Sequence, residues 1–125
     1  MADEEDYTNP LSILQVETAI RELTTRIAKG VRICDERYKA FLEADQAYDV
    51  AYAHAYLKAT EEPVHARKYL AELATTGERA NRDVSDAAYR YADRMSKALQ
   101  DELRAYQSLG ASLRTQFGMA GRGES

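Results

Sequence analysis

Apolar residues recur at alternating steps of three and four along almost the whole of this chain. From Ile13 the row runs through Val16, Ile20, Leu23, Ile27, Val31, Cys34, Tyr38, Phe41, Tyr48, Tyr52 and Ala55. That spacing marks one face of a continuous amphipathic helix. Around Ile27, Val31, Cys34 and Tyr38 the repeat stretches slightly, so any supercoil relaxes there. Gly30 sits at the same point and permits a bend, at about 1 kcal/mol relative to Ala. A second row comprises Leu70, Leu73, Gly77, Ala80, Val84, Ala88, Tyr91, Met95, Leu99, Leu103, Tyr106, Leu109, Leu113 and Phe117. Within it Val84, Met95, Tyr106 and Phe117 return every eleven residues, a period that favours little or slightly right-handed supercoiling. Strand alternation occurs nowhere in either row, so no sheet is expected.

Between the rows lies the one strong interruption, Ala59-Thr60-Glu61-Glu62-Pro63-Val64. Proline has no backbone donor and a fixed φ, and it pushes the residue before it out of the helical region. One helix therefore ends near Ala59 and another begins at Pro63. The reading is all-α: a long antiparallel, coiled-coil-like helical hairpin over residues 10–117, with arms 10–59 and 63–117 joined by a turn at 60–62. Asn9 followed by Pro10 supplies an N-cap and a first helical position, leaving residues 1–9 as a flexible acidic tail. Gly118, Gly121 and Gly123 end the second arm, so 118–125 is expected to be a second flexible tail.

The apolar surface is wider than a two-helix seam. Ala44, Ala47, Ala51 and Tyr56 lie beside the first row, and Ala74, Ala87, Ala92 and Ala98 beside the second. A second copy covers this surplus most simply, giving a homodimeric four-helix bundle. The competing fold breaks the arms at Gly30 and at Thr76-Gly77 and packs one chain as a compact bundle.

Composition narrows the classes. The net charge is −4, and Asp3, Glu4, Glu5 and Asp6 alone supply four negative charges, so the helical body is close to neutral. A near-neutral body removes the simplest argument for a general nucleic-acid binder. A single cysteine, Cys34, excludes an internal disulfide and a cysteine-based zinc site, and its place in the apolar row marks a packed thiol. No apolar run approaches the length of a membrane span, and the acidic N-terminus is unlike a signal peptide. A cytoplasmic protein without membrane contact is expected.

Candidate chemistry is sparse. His54 and His65 flank the turn with Glu61 and Glu62 between them, but the spacings of a helical metal site are missing. Asp45 and Asp49 share a face, and Asp86 stands four residues before Arg90; such carboxylates on an exposed helix pair with neighbours rather than exchange protons with a substrate. With no phosphate loop, nucleophile elbow or dinucleotide glycine run, the expectation is a non-enzyme with no cofactor and no metal. One cluster stands out. Tyr48, Tyr52 and Tyr56 form a ladder at spacing four that leads to the turn, where Lys58, His65, Arg67, Lys68 and Tyr69 gather. Such rings and cations are suited to stack and hold single-stranded nucleic acid, or to contact a protein partner. The ordinary alternative is that the ladder packs between the arms and the cations are solvated.

Three stretches carry a resemblance: Ala47-Tyr48-Asp49-Val50-Ala51-Tyr52-Ala53-His54-Ala55-Tyr56-Leu57, Ala66-Arg67-Lys68-Tyr69-Leu70-Ala71, and Leu103 to Leu113 closing in Ser108-Leu109-Gly110-Ala111-Ser112-Leu113-Arg114. They resemble small uncharacterised helical proteins of actinobacterial phages and prophages, often encoded near recombination and replication genes. The resemblance implies an origin and a genetic neighbourhood, with the host cytoplasm as compartment, and no activity. The resulting expectation is a self-associating helical adaptor that binds a protein partner in DNA recombination or replication. The alternatives are a direct single-stranded nucleic-acid binder, using the Tyr and basic residues at the turn, and a structural or scaffolding assembly protein.

Overall fold

The structure, a computed structural model, describes residues 11–123. It is all-helical, with no strand among the described residues: α1 spans Ile13–Lys58, α2 Val64–Ala74 and α3 Thr76–Gly123. The expected Asn9-Pro10 cap and the acidic tail lie outside the described residues, apart from which α1 opens at a different signal. Ser12 Oγ accepts from the Gln15 N–H at 3.2 Å, and Gln15 Oε1 accepts from the Ser12 N–H at 2.8 Å. This reciprocal pair is a capping box, with Gln in the place of the usual Glu.

The connection between α1 and α2 covers residues 59–63. The Ala59 N–H donates to the Tyr56 carbonyl at 3.2 Å, tightening the last turn of α1, and the Glu62 N–H donates to Ala59 at 3.1 Å. Pro63 stands at the N-cap position of α2 (φ −57°, ψ 146°), so the helix starts one residue later than the sequence suggested. Its carbonyl accepts from Ala66 and Arg67, which begins the helical ladder.

The second arm is not one helix. Thr75 separates α2 from α3 with φ −118° and ψ 23°, and its N–H turns to the Glu72 carbonyl instead of to Ala71. The freed Ala71 carbonyl is taken by the Thr75 hydroxyl at 2.7 Å, within a buried site. A side-chain donor thus replaces the backbone donor that the break removes. Gly30 lies inside α1 and interrupts nothing, whereas the second arm does break beside Thr76-Gly77, with Thr76 opening α3 and Gly77 its second residue. The C-terminal boundary also moves: α3 continues past Phe117 to Gly123, because no described glycine takes the positive φ of a helix-ending cap.

Two compact units are present, and α1 and α3 each contribute a segment to both. In the unit of residues 30–95, Tyr38 meets Tyr89 with ring centroids 5.1 Å apart, Arg37 Nη1 donates to the Ala88 carbonyl at 3.4 Å, and Asp45 approaches Arg82 at 4.0 Å. Rising numbers on α1 meet falling numbers on α3, so these segments run antiparallel. The inward face of α2 and α3 here is Ala71, Thr75, Glu78, Arg82, Ser85, Tyr89 and Ala92. Small side chains let the backbones approach, and Tyr38, Tyr48 and Tyr89 supply the bulk.

This corrects the second apolar row. Leu70, Leu73, Gly77, Ala80, Val84, Tyr91 and Met95 are exposed, with Leu73 at 72% and Val84 at 70%. Successive steps of four from Tyr91 through Met95 and Leu99 to Leu103 carry the row around the helix, so its two halves occupy different faces.

The second unit joins the described residues before 30 to those after 95. Val16 and Leu23 of α1 and Leu99 and Gly110 of α3 are buried there, with Leu103, Tyr106 and Leu113 half-buried. Arg114 pairs with Glu17 at 3.1 Å.

Candidate functional site

The tyrosine ladder forms on α1 as its spacing requires. The rings of Tyr48 and Tyr52 lie 6.2 Å apart and tilted by 46°, and those of Tyr52 and Tyr56 lie 6.4 Å apart and near-parallel at 26°. All three residues are half-buried. Arg82 of α3 places its guanidinium 4.6 Å from the Tyr48 ring centre. Tyr52 is thus flanked by aromatic neighbours on the same helix, and Tyr48 by a cation from the facing one. These contacts engage ring surface that a stacked base would need.

Arg67 is also committed. Its Nε donates to the Glu62 carbonyl at 2.9 Å and its Nη2 to the Thr60 carbonyl at 2.7 Å, holding the connection against α2. A helix C-terminus leaves carbonyls without intrahelical donors, and a charged donor is a strong remedy. Of the other members of the expected cluster, Lys58, His65, Lys68 and Tyr69 are exposed. The structure therefore divides the eight residues into a ladder packed with Arg82, an arginine that shapes the turn, and four exposed side chains.

Beside the turn runs an open groove of about 630 Å³ whose lining includes Ala51, His54, Lys58, Glu62, Leu70 and Thr75. Among the described residues no three His, Cys, Asp or Glu side chains gather to hold a metal ion. Asp86 pairs with Arg90 at 3.0 Å, as its spacing implied, and Asp45 faces Arg82. Cys34 is a half-buried free thiol. Among the described residues no helix is long and apolar enough to cross a membrane.

The feature that the sequence pattern misassigned is the outward face of α2 and α3. Leu73, Val84, Tyr91 and Met95 are large, apolar and exposed there, Leu70 is exposed where it lines the groove, and Leu42, Val50 and Leu57 are exposed on α1. A signal was present: the buried positions of the neighbouring row, Ala71, Thr75 and Ala92, are small, which is what a close helix–helix contact selects, with Glu78, Arg82 and Tyr89 half-buried between them. Compared with models of protein families, with curated proteins and with solved structures, the chain matches none.

Proposed function

We propose that this chain is a non-enzymatic, self-associating helical adaptor: a long helical hairpin whose two copies pair into a four-helix bundle and present further helical surface to a protein partner. The observation that carries the reading is the row of large apolar side chains left in water on α2 and α3, from Leu70 to Met95. Large apolar side chains repeated in water along one stretch of helix suit contact with another chain. Leu42, Val50 and Leu57 on α1 offer a second surface for the partner. The phage origin, the host-cell setting and the link to DNA recombination or replication rest on the resemblance of the Ala47–Leu57, Ala66–Ala71 and Leu103–Arg114 stretches alone.

Direct single-strand binding is the competing reading, and the engagement of Tyr48 by Arg82 and of Arg67 by the turn carbonyls counts against it. Titration of the full chain with a labelled single-stranded oligonucleotide at low salt separates the two. The adaptor reading expects no salt-sensitive binding. Binding that weakens with salt and is lost in a Tyr52→Ala/Lys68→Ala variant would overturn it.

A further inference from the structure

We propose that the outward face of α3 is a self-complementary seam on which a second copy of this chain docks antiparallel. The inference rests on the self-associating reading above and adds the surface, the direction and the register.

Gly77, Ala80, Val84, Ala87, Tyr91 and Arg94 follow one another at steps of three and four, and all are exposed. These are the two seam positions of a heptad repeat. Large and small residues are distributed along it unevenly. In an antiparallel pairing with Val84 opposite Ala87 of the second copy, Ala80 falls opposite Tyr91 and Gly77 opposite Arg94. Every layer then sets a large side chain against a small one, the arrangement that fills a helix–helix interface without voids. A parallel pairing sets Val84 on Val84, Tyr91 on Tyr91 and Gly77 on Gly77, crowding some layers and emptying others.

Gly77 is the second observation. A Cβ there would meet no atom within 4 Å, so nothing in its own chain requires a glycine at this helical position. Gly77 is the second residue of α3, and a glycine held in helical conformation there still loses more backbone freedom than Ala would. In the antiparallel register the missing side chain receives the aliphatic stem of Arg94 from the second copy, whose charged head reaches water.

Charge agrees with the same register. Asp83 and Arg90 are exposed and one heptad apart on one flank of the seam. Antiparallel pairing brings Asp83 of each copy to Arg90 of the other, and the two-fold axis makes the contact twice. In the parallel register the same flank faces Ala88 and Met95, and no ion pair forms. Asp83 and Arg90 already pair within α3, with the half-buried Arg82 and Asp86, but their own side chains stay 60% and 70% exposed and open to a second partner.

The test is sedimentation equilibrium of the full chain and its variants, with circular dichroism to check that helix content is unchanged. Val84→Glu and Tyr91→Glu should each raise the dimer dissociation constant at least about tenfold. Asp83→Arg and Arg90→Asp should each weaken the dimer, and the double variant D83R/R90D should restore it, since the reversed charges meet again across the two-fold. A dimer unaffected by Val84→Glu and Tyr91→Glu would overturn the seam while leaving self-association standing. A double variant weaker than both singles would overturn the antiparallel register. A wild-type chain that stays monomeric would overturn the self-associating reading itself, and the seam with it.

Discussion

A Cβ built on Gly110 of α3 would stand 3.3 Å from Cγ1 of Val16 on α1. Val16 is 1% exposed, and a β-branched side chain in a helix has essentially one χ1 rotamer, so it has little room to yield. Alanine at position 110 should therefore forfeit the helix-propensity gain of about 1 kcal/mol that it would bring at an open site. Gly110→Val should destabilise the protein by roughly 2–3 kcal/mol through overpacking. Urea unfolding at one fixed protein concentration measures both; a clear rise in midpoint for Gly110→Ala would show that Val16 moves aside easily.

Gly30 is the contrasting case. Nothing lies within 4 Å of a Cβ placed there, and the residue is in the interior of α1. Gly30→Ala should stabilise by about 1 kcal/mol and raise the melting temperature by a few degrees. A lower melting temperature would mean that the backbone at this point depends on glycine for more than space.

Thr75 joins α2 to α3 through its hydroxyl, which holds the Ala71 carbonyl at 2.7 Å in a buried setting. Thr75→Val keeps the shape and removes the donor, and should cost about 1–3 kcal/mol by leaving that carbonyl unpaired. Thr75→Ser retains the donor and should cost less. A larger loss for Thr75→Ser than for Thr75→Val in urea unfolding would assign the role of Thr75 to its methyl group instead.

Arg82 reaches both Tyr48 and Asp45, but unequally. The ring contact is close at 4.6 Å, while the ion pair is long at 4.0 Å with the carboxylate side chain 40% exposed. A double-mutant cycle between Arg82 and Tyr48 should give a coupling of about 0.5–1.5 kcal/mol, and one between Arg82 and Asp45 well under 1 kcal/mol. The reverse order would show that the carboxylate, not the ring, positions the guanidinium.

Much of the architecture was legible in the sequence. The step pattern from Ile13 to Ala55 and the proline at 63 mark a long helix and its end, and the all-helical class follows. What stayed hidden was decided by contacts that periodicity does not encode. The row from Leu70 to Met95 is the more apolar face of α2 and α3, yet the fully buried positions of the inward face are the small Ala71, Thr75 and Ala92, because close helix approach needs room more than hydrophobicity. The sequence offered Thr76-Gly77 as a break; that Thr75, one residue earlier, carries it through a hydroxyl in place of a backbone donor was not readable. At the candidate site the tyrosine ladder was readable from spacing alone. The engagement of Arg67 by Glu62 and Thr60 was not, since it depends on where the turn carbonyls point.

Self-association is the claim on which the functional account depends, and the molar mass of the full-length chain in solution tests it most directly. Sedimentation equilibrium across a wide concentration range should give twice the 14.1 kDa chain mass, dissociating on dilution. A single 14.1 kDa species at every concentration would contradict the account.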